Sequence, residues 1–414
     1  MSTPAAHCRS CGAELRRTLV DLGMQPLANA YLTEEEVRAG GERSYPLHAR
    51  VCGKCHLVQV DDVVPPAEIF SDYAYFSSYS ESWVEHARRF AKQVIDRLGL
   101  DSTSLVVEVA SNDGYLLRHF VDAGVPVLGI EPAENIAEVA QAAGIKTEVA
   151  FFGMECARGL VAREQTADLI VANNVLAHVP DLDDFVRGLA LALHAEGVLT
   201  IEVPHLLRML ERAEFDTIYH EHFSYFSLIA ANEAFAPRGL RVFDVEELTT
   251  HGGSLRLWVG HDATCPFPTS EAVGAVLGEE RDAGLETPTA YDAFAGRVEH
   301  ARASLRRFLD TARAAGERVA AYGAAAKGNT LLNSCGVTTD DIQYVVDRSP
   351  HKQGCYLPGS HLPIYEPDHV RRDQPDYLLI LPWNLRDEIS EQMADVRDFG
   401  CRFVVTNPEL EVFA

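Results

Sequence analysis

The sequence has no excess of positive charge: 36 lysines and arginines stand against 61 aspartates and glutamates, a formal net charge of -25. Nucleic acid and anionic membranes need a basic surface, so neither is an expected partner. An anionic small ligand stays open, because a local pocket can be positive in an acidic protein. No uninterrupted apolar run reaches bilayer length and no apolar leader follows Met1, so the expected location is the cytoplasm and the expected state a monomer. A disulfide frame is also missing. Nine cysteines in 414 residues, without a secretory leader, read as a reduced inventory.

Four of those cysteines are paired by spacing. Cys8-Arg-Ser-Cys11 and Cys52-Gly-Lys-Cys55 are two C-x-x-C knuckles. Each knuckle points two thiolates at one tetrahedral ion, so together they form a closed Cys₄ zinc site with a structural role. His56 is read as a neighbour of the site. Cys156, Cys265, Cys335, Cys355 and Cys401 are scattered and read as packing residues.

The rest of the chain alternates between strand and helix signals from Leu105 onward. Apolar runs at 105–109, 127–130, 167–172 and 197–203 are separated by helical patterns, which implies a parallel, doubly wound sheet. A second αβ series starts at Arg318, with runs at Tyr344-Val-Val-Asp and Tyr377-Leu-Leu-Ile-Leu. The expected architecture is α/β. A small zinc-binding domain (1–70) precedes a Rossmann-like core (71–245) and a second Rossmann-like α/β unit (246–414). The stretch between the two series gives the weakest pattern.

Glu108-Val-Ala-Ser111-Asn112-Asp-Gly114 ends the first strand and opens a helix. Small residues there let backbone approach a ligand, and helix N-terminal amides favour a carboxylate. Glu131 closes the second strand, where an acid can bind both hydroxyls of a ribose. Asn173 follows the third strand and would line the same crevice. A dinucleotide enzyme should show G-x-G-x-x-G, which is absent. Glu108 suits the cationic end of S-adenosylmethionine better, although a purely structural turn is also compatible, and Ala110 stands where generic methyltransferases carry glycine.

The densest polar and aromatic cluster is Tyr219-His220-Glu221-His222-Phe-Ser-Tyr225-Phe226. It offers a base, a carboxylate and a phenol able to hold an oxyanion. His220-x-His222 also has metal-ligand spacing, but no further ligand set accompanies it.

These motifs, in order, resemble the nucleotide-sugar C-methyltransferases of antibiotic deoxysugar pathways, especially the C-3 enzymes that build branched sugars such as mycarose or tetronitrose. The matching elements are both cysteine knuckles, Pro26-Leu-Ala-Asn29, Glu108 to Gly114, Tyr219 to His222, His251-Gly-Gly-Ser254 and Gly323-Ala-Ala-Ala-Lys327-Gly-Asn329. They span nearly the whole chain. In that family the Ala110 position is commonly not glycine. The resemblance implies a dTDP-linked 4-keto sugar bound between the methyltransferase core and the C-terminal unit. Lys327, in a small-residue turn at a helix start, suits a pyrophosphate even without the resemblance. Asn329 and Ser254 are further candidates on the substrate side.

The expected reaction is methylation at C-3, α to the ketone, of a 3-amino or 3-hydroxy dTDP-4-keto-deoxyhexose. His222 is the expected base, Tyr219 a hydrogen bond to the sugar or its enolate, and Glu221 an orienting carboxylate. Tyr73 and His178 are second-rank contacts. Two alternatives stay open: methylation at C-5, which also flanks the ketone, and a catalytically silent nucleotide-sugar binding module.

Overall fold

The computed structural model describes residues 6–61, 64–65, 77–79 and 81–414. Its first strands, β1 (Arg17–Pro26), β2 (Ser44–Val51) and β3 (Val58–Val60), pair antiparallel in sequence order. They place Leu19, Leu47, Ala49 and Val58 inside. The first cysteine knuckle precedes β1, and the second forms the turn between β2 and β3.

After the amphipathic helix Glu81–Leu98 come β4 (Val106–Val109), β5 (Val127–Glu131), β6 (Thr147–Val149), β7 (Ala167–Val171) and β8 (Leu193–Pro204). All four residues of β4 are buried, as a central strand covered on both faces requires. A two-residue strand, β9 (Ser224–Tyr225), then returns to the first sheet and pairs with β3. The hairpin β10 (Leu240–Leu248) and β11 (Ser254–His261) completes the central sheet, whose order is β10-β11-β8-β7-β4-β5-β6. Six strands run in one direction and β11, set between β10 and β8, runs opposite to both, with the order reversing between β4 and β7. That switch point opens a crevice at the carboxyl ends of the strands. The sheet continues to His261, so a boundary at 245 falls inside β10.

The stretch that gave the weakest pattern is therefore this hairpin plus the helices Glu271–Asp282 and Phe294–Ala315. Its inward face carries ions as well as hydrocarbon. Arg256, on β11, donates to Glu202 at 2.6 Å and to Glu246 at 2.8 Å, while His86 Nε2 lies 3.0 Å from Glu202. A buried ion network of this kind mimics a surface pattern in sequence.

The last unit is built on β12 (Val319–Tyr322), β13 (Val345–Val346), β14 (Ile364–Tyr365), β15 (Tyr377–Ile380), β16 (Arg402–Val405) and β17 (Glu411–Phe413), in order β14-β13-β12-β15-β16-β17. All pairs but the last are parallel. Packing ignores these sheet boundaries. One apolar cluster joins Leu19 and Leu47 of the first sheet to Leu305 of the helix Phe294–Ala315 and Val319 of the last sheet, and another joins Cys52, Cys55 and Leu57 to the central sheet. Among the described residues, no helix is long and apolar enough to cross a membrane.

Candidate functional site

The four knuckle thiols converge. Cys8 and Cys55 sulfurs lie 3.5 Å apart, those of Cys11 and Cys52 3.6 Å, and all four fall within 4.8 Å of one another. Tetrahedral zinc with Zn–S bonds near 2.3 Å places its sulfurs about 3.8 Å apart, so the donor set fits that ion. The residue after each knuckle, Gly12 (φ 71°) or His56 (φ 60°), turns the chain through the left-handed region. His56 thus serves the turn and is not in the ligand cluster.

A cavity of about 850 Å³ occupies the switch-point crevice and is walled by all three parts of the chain. On the central-sheet side, the turn after β4 uses left-handed backbone at alternate residues: Ala110 (φ 57°), Asn112 (φ 49°) and Gly114 (φ 76°). The position where other methyltransferases carry glycine therefore keeps the glycine conformation at Ala110, a strain of about 1–3 kcal/mol. Gly129 lets this turn lie against β5, since a Cβ there would collide with the Ser111 hydroxyl.

Glu131 is the centre of this wall. Its two oxygens accept the Asn112 and Ala133 amides, each at 2.9 Å, leaving lone pairs on both oxygens for a ribose. Asn173 also lines the cavity, and its Oδ1 is buried without a partner, as a ligand donor would require. These residues fit S-adenosylmethionine. Three expectations change. Ser111 is fully buried against Gly129 and Glu108 is buried behind the turn; neither lines the cavity. Burial, with Glu131 and Asp113 nearby, pushes the Glu108 carboxyl well above its ordinary range, which favours its neutral form over an anion facing a cation. The turn amides of Ala110, Ser111, Asn112 and Gly114 all bond within the protein, so they are not open to a carboxylate.

Aromatic rings supply a second wall that sequence reasoning missed. Trp83 stacks on His86 at 5.0 Å and meets the His251 ring edge-on at 5.2 Å. The His86–Glu202–Arg256 network anchors that stack. His251 is itself left-handed (φ 55°), and burial lowers its pKa to about 4.

Opposite lies Tyr219 to His222. The Tyr219 hydroxyl is 2.8 Å from His222 Nε2, and His222 Nδ1 is 2.8 Å from the Thr217 carbonyl. A carbonyl can only accept, so Nδ1 carries the proton and Nε2 presents a lone pair to the phenol. Burial, reinforced by His178, holds His222 neutral, well below its usual pKa. His178 packs at 4.7 Å from the His222 ring and is pushed down to about 4 by burial. Glu221 lines the cavity and accepts both its hydrogen bonds from Asn29. His220 points the other way, edge-on to Tyr45, so the histidine pair cannot share a metal. Tyr73 lies outside the described residues.

The C-terminal unit brings Lys327 to the cavity, over the Trp383 ring at 4.4 Å and bonded to Asn384 Oδ1 at 2.7 Å. Burial lowers its pKa, opposed by the Asp216 and Glu214 carboxylates. Asn329 and Ser254 do not reach the cavity: Asn329 donates to the Ala28 carbonyl at 2.5 Å and Ser254 to Thr250 at 2.9 Å. Lys352, which carried no sequence signal, does line it.

Along the chain, residues 8–70 match the zinc binding domain model, 83–245 a methyltransferase domain and 249–408 a C-methyltransferase C-terminal domain. C-methyltransferase NovU of Streptomyces niveus is 38% identical over 411 residues, covering 99% of this chain and 97% of its own. Among solved structures, a magnesium protoporphyrin IX methyltransferase of Synechocystis with bound SAM aligns over 48% of this chain and 98% of its own, at 13% identity and TM-score 0.35. An S-adenosylmethionine-dependent methyltransferase of Clostridium acetobutylicum aligns over 43% and 91%, at 10% identity and TM-score 0.34. At those scores neither adds to what the strand order shows.

Proposed function

Because the chain belongs to the C-methyltransferase family and is an S-adenosylmethionine-dependent enzyme, we propose that it methylates C-3 of a dTDP-4-keto-deoxyhexose bearing a 3-amino or 3-hydroxy group. The observation that carries this reading is the Tyr219–His222–Thr217 chain in a cavity with Glu131 on one wall and Lys327 on another.

Carbon becomes a nucleophile only after losing a proton, and an adjacent ketone takes up the charge as an enolate. His222 is neutral with its lone pair at Nε2, the state a proton acceptor needs. As substrate enters, Nε2 exchanges the Tyr219 hydroxyl for the C-3 proton. The freed phenol donates to the carbonyl oxygen where charge develops. The resulting imidazolium and enolate stabilise each other as opposite charges. S-adenosylmethionine, held by Glu131 and Asn173, would supply the methyl group that the C-3 electron pair takes from its sulfonium. Glu221 orients the sugar's polar substituent, and Lys327 meets the diphosphate.

Carbon NMR of product made with labelled methyl donor and a panel of dTDP-4-keto sugars tests the acceptor; a new methyl at C-3 is expected. No transfer to any of them would refute this substrate class, and a methyl at C-5 would move the reacting carbon. His222→Ala should lower kcat by roughly 10²–10⁴-fold while both ligands still bind. Near-normal turnover would place the base elsewhere.

A further inference from the structure

Asn29 enters the cavity from the N-terminal sheet, on the loop that follows β1. Its side-chain nitrogen lies 2.9 and 2.7 Å from the two oxygens of Glu221, a residue 3% exposed. An ionised carboxylate only accepts, so the amide must present its NH₂ there. The other end of the amide is fixed as well. The Tyr31 hydroxyl is shared between Asn29 Oδ1 (3.3 Å) and the Ala324 carbonyl of the C-terminal unit (2.6 Å). Either side of Asn29 is tied down: Asn329 holds the Ala28 carbonyl, and Leu32 and Tyr356 exchange backbone hydrogen bonds at 3.0 and 2.8 Å.

We infer that Asn29 is a positioning residue for methyl transfer, holding the Glu221 carboxylate ionised and aimed into the cavity; this rests on the C-methyltransferase reading above. The zinc-binding part of the chain thereby contributes to the reaction through one amide.

The electrostatics agree with the geometry. Burial pushes the Glu221 carboxyl up to about 7, and the Asn29 amide is the first influence opposing it, followed by Lys352. The other groups facing Glu221 are His178, which hydrogen-bonds its main chain, the adjacent His222, and Tyr31 with Asp347 beyond it. None of these replaces the amide. Without Asn29 the carboxyl should stay protonated to higher pH.

The test uses the full-length, zinc-loaded protein with carboxyl-labelled glutamate, followed by carbon NMR without substrate. The Glu221 signal is assigned by its loss in Glu221→Gln. The expected midpoint is near 7 in the wild type and higher in Asn29→Ala. In the same variant kcat at neutral pH should fall roughly 10–100-fold, the range of a hydrogen bond to a charged group. Affinity for S-adenosylmethionine should not change. In a Glu221→Gln background, Asn29→Ala should have little further effect. An unmoved midpoint in folded, zinc-replete Asn29→Ala, or fully additive losses, would overturn the inference. If Asn29→Ala does not fold, the equally sized Asn29→Asp takes its place, and its carboxylate should raise the Glu221 midpoint further. A wrong acceptor assignment would instead appear as no turnover in the wild type, and the carboxyl titration would still decide the role of Asn29.

Discussion

The turns after β4 and β12 are the same device used for two purposes. In each, a buried parallel strand ends in small residues, and an acid at the end of the neighbouring strand grips the turn. Glu131 accepts the amides of Asn112 and Ala133; Asp347 accepts those of Ala324 and Ser349, at 2.7 and 2.8 Å. The difference lies in where each acid stands. The first faces the cavity, with Glu131 on its wall. In the second, Pro382 is packed where a Cβ on Gly323 (φ 91°) would stand, the later turn residues Ala325 to Lys327 reach the cavity, and Asp347 is not on its wall. The two acids therefore differ in role: Glu131 is open to a ligand, whereas Asp347 serves its turn alone.

The sharpest way to break this comparison is to remove the two acids separately. Glu131→Ala should weaken S-adenosylmethionine binding by roughly 10–100-fold, since charge-assisted hydrogen bonds are lost from the ligand. Asp347→Ala should leave that affinity within about twofold and lower the melting temperature instead, because it frees two buried amides. Titration calorimetry and thermal unfolding on both variants decide the point. Equal losses of cofactor affinity would erase the distinction between the turns.

A smaller effect is expected at the helix Ala326–Ser334, whose first turn carries Lys327. Lys327→Ala should raise KM for the sugar nucleotide by about tenfold through loss of one charged contact, with cofactor affinity unchanged. If KM does not move, the diphosphate lies elsewhere, and Lys352 is the cation to change next.

The smallest effect concerns the acids beneath Lys327. Burial pushes Glu214 up to about 8 and Asp216 up to about 6. A carboxyl whose folded pKa is raised costs nothing while protonated in both states. It destabilises the fold progressively as pH climbs from the ordinary value near 4.3 through the folded one. Glu214→Gln should therefore gain melting temperature over the wild type between pH 5 and 8, by roughly 1–3 °C at the upper end. A gain that is constant with pH would show that the carboxyl is not the cause.

Much of this was readable in the residues. Apolar runs such as Val106–Val109 and Tyr377–Ile380 announced both parallel sheets because strands covered on two faces have no polar side to conceal them. The β10–β11 hairpin was not readable, since its buried Arg256 resembles a surface residue until Glu202 and Glu246 are brought beside it. In the site, Glu131, Tyr219 and His222 stood out by position or density. Ser111, Ser254 and Asn329 carried the same polar signal but lie off the cavity wall, because small polar side chains bond to nearby backbone as readily as to a ligand. Asn29 and Lys352 were invisible as partners of Glu221, because only the folded chain brings 29, 221 and 352 together.

The pairing of β3 with β9 has a consequence for synthesis. About 165 residues separate Val58 from its partner Tyr225, so at ribosomal speeds the first sheet waits roughly 10–30 s for its last strand. Throughout that interval β3 presents an open edge, a template for pairing with a wrong strand. The edge is covered only when the segment that carries Tyr219 and His222 has emerged and folded back onto β3.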